Sequence, residues 1–164
     1  MKTYFIAPML ILMCLLSCNK EENIGKTSSL AINLSVPIKL VNKEGKNLLD
    51  PSTPNYYKSE NIKKYDLIDG KEQLFYKSNW QFPYGFSIVE NSNLSHINFG
   101  ANIVSKENPT TTYIDWGNGD RDTLVCGMTK TNDGYYQFIK ELWINGKKVY
   151  PGTDPTDRVF TIAK

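Results

Sequence analysis

The sequence predicts an all-β protein: a single antiparallel β-sandwich, immunoglobulin-like or transthyretin-like, behind an N-terminal export signal. Apolar residues alternate with period two in one segment after another, and turn dipeptides such as Asp69-Gly70 and Asn145-Gly146 separate those segments. No convincing amphipathic helix runs longer than about three turns. The length, 164 residues, suits one ordinary domain. With 19 Lys+Arg against 17 Asp+Glu, a net charge of +2 lacks the basic footprint of a nucleic-acid binder. A chain 22% charged and 40% hydrophobic is neither disordered, collagen-like nor coiled-coil. One His excludes a multi-histidine metal site, and no Gly-rich phosphate loop occurs.

The first element is an address. Lys2 precedes an apolar run at residues 5–16, about as long as a secretory signal core and short of the roughly 20 residues a spanning helix needs. Ser17 and Cys18 follow, and the chain turns polar at once with Asn19-Lys20-Glu21-Glu22. Leu15-Leu16-Ser17-Cys18 resembles the lipobox of bacterial lipoproteins, which implies a diacylglyceryl thioether and an N-acyl group on Cys18 after cleavage. At about 0.8 kcal/mol per buried CH₂, three acyl chains give stable anchoring without a spanning helix. The Lys-then-acidic residues after Cys18 resemble the signal that sends Bacteroidota lipoproteins to the cell surface; the periplasmic face of the outer membrane is the alternative. The expected divisions are therefore a signal peptide at 1–17, a flexible lipid-anchored tether at 18–29 and a β-sandwich domain at 30–164.

Cys14 leaves with the signal and Cys18 becomes the anchor, so Cys126 is the one thiol of the folded part and no internal disulfide is expected. Its apolar neighbours Leu124 and Val125 predict a small buried hydrophobe rather than a nucleophile paired with His96.

The strands follow in order. Leu30, Ile32, Leu34, Val36, Ile38 and Leu40 alternate with polar positions and predict a first strand, with Pro37 on its outer face marking an edge or bend. Residues 47–55, with Asp50-Pro51 and Thr53-Pro54, read as a turn-rich loop, and 59–62 as one helical turn. Residues 62–68 and 71–76 flank Asp69-Gly70 as a hairpin. Residues 84–90 and 94–99 flank Asn91-Ser92-Asn93, and 111–116 and 123–128 flank Gly117-Asn118-Gly119-Asp120. A strand at 135–144 turns at Asn145-Gly146 into 147–150, and 159–162 makes a last strand that closes the sheets with the first. Leu48-Leu49-Asp50-Pro51, residues 62–71, Asp120-Arg121-Asp122-Thr123-Leu124 and Trp143-Ile144-Asn145-Gly146-Lys147 are similar to segments of an uncharacterised family of Bacteroidota lipoproteins. That resemblance implies a small exported β-rich domain with no catalytic motif.

Asp115, Asn118, Asp120 and Asp122 are calcium candidates, since Ca²⁺ takes six to eight oxygens. An EF-hand loop fails here, because position 6 from Asn118 is Thr123 and position 12 is Thr129. Residues 115–120 also resemble the Trp-Gly-Asp turn of polycystic-kidney-type domains, without their His-x-Tyr. The simpler reading is a hairpin turn with solvated Asp residues. Asp120 and Asp122 as a glycosidic acid pair lack any sign of a raised pKa, and no Gly-x-Ser-x-Gly elbow occurs, so no enzyme is expected. The aromatics Tyr56, Tyr57, Trp80, Phe82, Tyr84, Tyr135 and Tyr136 lie in or beside predicted loops and form the candidate binding set. The competing reading sends alternate rings into the core, one inward and one outward in Tyr56-Tyr57 and Tyr135-Tyr136. Lys63, Lys64, Lys77, Lys147 and Lys148 read as solubility and edge-guarding residues. The expected function is a non-catalytic envelope module that needs no cofactor, held to the membrane through Cys18 and contacting a glycan or an envelope protein. A structural subunit of an outer-membrane complex is the alternative, with a hydrolase a distant third.

Overall fold

A computed structural model describes residues 34–90, 95–130, 132, 135–150 and 159–164. The signal at 1–17, Cys18, the tether, the start of the predicted first strand and the 91–93 turn lie outside the described residues. The strands are β1 (Ser35–Val41), β2 (Lys63–Ile68), β3 (Lys71–Leu74), β4 (Phe86–Val89) and β5 (His96–Gly100). They continue as β6 (Thr110–Asp115), β7 (Arg121–Lys130), β8 (Tyr136–Ile144), β9 (Lys147–Tyr150) and β10 (Phe160–Ala163). A 3-10 turn at Ser59–Asn61 stands where one helical turn is predicted. The strands form a four-stranded sheet, β10-β1-β5-β4, and a six-stranded sheet, β3-β2-β6-β7-β8-β9.

The two sheets close over one apolar core, so the predicted β-sandwich is present. Val36, Ile38, Leu40, Ile97, Phe99 and Ile162 from the first sheet meet Ile114, Leu124, Cys126, Met128, Leu142 and Ile144 from the second. Burial alternates along β1 and β7 as a pleat requires. Phe99 and Trp116 make the aromatic joint between the sheets, with ring centroids 5.8 Å apart in an edge-to-face arrangement. The Asp69-Gly70 and Asn145-Gly146 hairpins carry positive φ at both central residues, the primed turn that matches strand twist.

Two expectations need correction. The first and last strands do lie side by side, but β1 and β10 run parallel, while every other neighbouring pair among the described residues is antiparallel. A parallel pair cannot be joined by a tight turn, and here nearly the whole domain is the connection. Pro37 does not mark an edge strand either, since β1 lies between β10 and β5. Its missing donor is tolerated because Ser35–Pro37 register only with β5, and β10 joins from Ile38 onward.

The turn before β7 is sterically tight. Gly117 has φ +88°, and a Cβ there would collide with Asn61 Cβ and lie 2.9 Å from the Asn61 carbonyl oxygen, whereas Gly45, at φ +77°, has no atom within 4 Å of its would-be Cβ. Gly45→Ala should cost about 1 kcal/mol from the left-handed backbone alone. Gly117→Ala should cost at least about 2 kcal/mol more, because the clash displaces backbone as well. Urea midpoints of the two variants check this, and equal values would contradict it.

Candidate functional site

The acidic turn is an ion cluster of the protein itself. Lys164 Nζ stands 2.9 Å from Asp120 Oδ2 and 2.6 Å from Asp122 Oδ2. Asp122 also accepts from Trp116 Nε1 at 2.7 Å and Asn145 Nδ2 at 2.6 Å, and the Tyr57 hydroxyl donates to Asp120 at 3.0 Å. Asp115 and Asn118 accept from backbone N–H groups within the turn. Asp122 is buried, so the expectation of solvated Asp residues fails for it, whereas Asp115 and Asp120 are half-exposed. Among the described residues, no three His, Cys, Asp or Glu side chains are grouped as metal ligands. The oxygens proposed for calcium instead face lysine, indole and amide donors. Burial pushes the Asp120 carboxyl up, but the hydrogen bonds from Lys164 and Tyr57 outweigh it and hold it below its ordinary 3.8. Burial pushes Lys164 down, yet the two carboxylates leave it above 10.5.

A second charged cluster lies in the sandwich interior. Lys64 was expected to be a solvated basic residue, but it is 1% exposed and its ammonium sits 2.7 Å from both oxygens of buried Asp66. Ile62 points inward and the Asp69-Gly70 turn fixes the register, so residues 64 and 66 share the core face. Thr112 Oγ1 donates to Asp66 at 2.8 Å, and Lys64 Nζ lies 4.3 Å from the centre of the Phe75 ring. Burial lowers the Lys64 ammonium below its ordinary value, with Asp66 opposing. The same surroundings push the Cys126 thiol up to about 12, chiefly by burial. Cys126 is therefore an inert interior thiol, and the groups that act on it are Lys64 and Asp66, not His96 on the opposite sheet.

Above this pair runs the β3–β4 loop, the richest aromatic surface among the described residues. Tyr76 is 52% exposed, Trp80 50%, Phe82 46% and Tyr84 50%, which places these half-exposed rings in one connection rather than the core. Phe75 and Trp80 lie edge to face at 5.6 Å, and Tyr76 and Tyr84 lie 5.2 Å apart. Tyr84 leads through Phe86 to core Phe99 at 6.5 and 5.5 Å. Backbone bonds from Lys77 N to Pro83 O, Trp80 N to Lys77 O and Gly85 N to Phe82 O fold the loop on itself. Gly85 is required there: at φ +74°, its would-be Cβ would lie 2.8 Å from Phe75 and 2.9 Å from Lys64.

The candidate aromatics thus divide. Trp80, Phe82 and Tyr84 gather in this loop, joined by Phe75 and Tyr76, which the reading of the sequence placed in a strand. Tyr57 packs on Trp116 at 5.7 Å as a structural residue, and Tyr56 is half-buried in the 47–57 loop. Tyr135 is 72% exposed, but it immediately precedes β8, a strand four spacings or roughly 19 Å from β3. The side chain of Tyr136 lies outside the described residues. Lys64 and Asp66 escaped the sequence reading, although opposite charges two residues apart on a core-facing strand were the available signal. A separate polar groove of about 400 Å³, lined by Lys39, Lys46, Asn47, Asp50, Ser52 and Ser95 among others, lies near the far ends of β1 and β5.

Removing one member of a buried ion pair strands the other. Lys64→Met should destabilise the fold by about 3–5 kcal/mol, and Lys64→Met with Asp66→Leu should recover most of the loss. Denaturant unfolding checks both, and a double variant no better than the single would contradict the pairing. Asp120, with its folded pKa depressed, contributes stability above pH 3.8 that is lost as pH falls through the lower folded value. In Lys164→Met that acid loss should be smaller and should be complete at a higher pH, nearer 3.8, which an acid titration of thermal stability reads directly.

No protein-family model, curated protein or solved structure matches the chain.

Proposed function

We propose that this protein is a lipid-anchored, non-catalytic binding module of the bacterial cell envelope, tethered through Cys18, which contacts a glycan or a protein ligand with the β3–β4 loop. The carrying observation is the group of half-exposed rings, Tyr76, Trp80, Phe82 and Tyr84, folded into one short loop on a buried support. Half-exposed aromatic rings offer large contact area at low entropic cost. The loop also carries Asn79 and Gln81, whose amides suit hydroxyl groups beside an aromatic face, and no carboxylate. A non-catalytic role accords with carboxylates tied to Lys164 and Lys64 and a thiol raised to about 12.

The rival role, a structural subunit joined edge to edge, would use β3 at the margin of the six-stranded sheet. That edge carries Lys71 and Glu72, both exposed, and charges of this kind oppose strand addition.

Trp80→Ala and Tyr84→Ala should each weaken binding on a glycan array or to a captured envelope partner by roughly tenfold or more, as loss of an aromatic hot spot does, while each variant still unfolds cooperatively and stays folded at the assay temperature. An array without hits, together with recovery only as a lone monomer after gentle detergent extraction, would overturn the binding role. The anchor is tested separately: Cys18→Ser should leave an untrimmed precursor without acyl chains. A chain that is still trimmed and still sediments with the envelope would refute lipidation.

A further inference from the structure

The described chain begins at Leu34, and that entry point is fixed in space. Ala101 N donates to the Leu34 carbonyl at 2.7 Å, and Ser35 registers with Gly100, so the N-terminal segment reaches the domain at the end where β5 runs out. Immediately beyond, the chain makes a rigid tip. Asn102 is fully buried and uses both ends of its amide: Nδ2 donates to the Leu67 and Thr111 carbonyls at 2.9 and 3.2 Å. Its Oδ1 accepts from Val104 N and Ser105 N at 3.2 and 3.1 Å. These bonds hold up two aliphatic side chains, Ile103 at 45% and Val104 at 55% exposure, followed by exposed Lys106. Nothing in the core requires both to be apolar.

We infer that the Ile103-Val104 tip touches the lipid surface and orients the domain on the membrane, with Lys106 reaching the headgroups. This rests on the reading that Cys18 is acylated. Fifteen residues lie between Cys18 and Leu34, a reach of at most roughly 55 Å even fully extended, and the chain enters beside Ala101, two residues before Ile103. For the opposite end, with Lys46 and the polar groove, to face the bilayer, the chain would have to cover the seven-residue length of β1, about 24 Å, which takes up the whole root-mean-square span of a flexible tether of this length, about 20–24 Å. The acyl chains make contact of the tip with lipid an intramolecular event, so two partly exposed aliphatics suffice to bias orientation without having to anchor. A lysine beside apolar residues suits the interface, its stem in the boundary and its ammonium among anionic headgroups. The aromatic loop then stands along the flank and the polar groove at the far end.

The test uses the full acylated protein reconstituted in phosphatidylethanolamine/phosphatidylglycerol vesicles. Single-cysteine variants Ile103→Cys and Lys46→Cys carry a fluorophore, and buried Cys126, its thiol raised to about 12, stays unlabelled at neutral pH. Nitroxide-bearing lipid should quench the label at 103 roughly threefold more than the label at 46, as expected for a side chain at the headgroup boundary. A label at Lys106→Cys should lose most of its quenching in the Ile103→Asp, Val104→Asp background. Equal quenching at 103 and 46, stronger quenching at 46, or no effect of the aspartates would each overturn the inference while leaving the anchor intact. An intact mass lacking acyl chains would sink the anchor and the inference together.

Discussion

Lys64 and Asp66 share the core face of β2, where a sandwich ordinarily places two hydrophobes. Their pairing governs how the region above them is built. The ammonium is too deep to reach water, so it must stay bidentate on Asp66, with Thr112 satisfying one of the same oxygens. Because the lysine stem is thereby immobilised, Phe75 can lie over its ammonium, and Phe75 N can extend the β2–β3 ladder onto the Lys64 carbonyl. Gly85 then closes over both side chains at a distance no other residue permits. The entry and the exit of the aromatic loop are therefore pinned on the same buried charge.

That support changes what the exposed rings can do. A long surface loop ordinarily has to be ordered on binding, at a cost that reduces affinity. Here a series of rings runs inward from Tyr76 through Tyr84 and Phe86 to Phe99 and Trp116, so the outer members rest on the joint between the two sheets. Trp80 is braced in the same way against Phe75. Rings held at fixed angles before a ligand arrives favour a stiff, flat partner over one that demands an adaptable surface.

The legible parts of the fold were those written in local pattern. Alternation along β1, β6 and β7 and the two primed turns depend on neighbouring residues only, and they appear where expected. Strand ends were less legible: β3 stops at Leu74 rather than Tyr76, because the loop draws Tyr76 away toward Tyr84. Relations across long separations were invisible. Nothing around Val159 announces a parallel partner, and nothing in Lys63-Lys64-Tyr65-Asp66 says which face is buried, since Tyr65 and Leu67 look like better core residues than Lys64 and Asp66. The face is chosen by Ile62 and by the turn at Asp69-Gly70, and Tyr65 is left to stack outside with Arg121. The candidate site was legible in residue type and only partly in place: Trp80, Phe82 and Tyr84 converge, whereas Tyr57 and Tyr135 belong elsewhere.

The acidic turn shows why composition misleads about chemistry. Four oxygen-bearing side chains within eight residues suggest a cation site, and they have attracted one, but the cation is Lys164 from β10's end. A carboxylate that holds a lysine, an indole N–H and an amide, as Asp122 does, has little capacity left for a metal or for proton transfer, and the depressed pKa of Asp120 makes that residue a poor acid. The same ion cluster ties the last residue of the sequence to the turn before β7, joining the two sheets at the end opposite the chain's entry. The two charged clusters do different work: Lys64 and Asp66 tie β2 to Thr112 of β6 within one sheet, and Lys164 joins the two sheets at the rim. The outward groups of the β3–β4 loop and of the 103–104 tip are aromatic and aliphatic, and contact through such groups depends on surface fit.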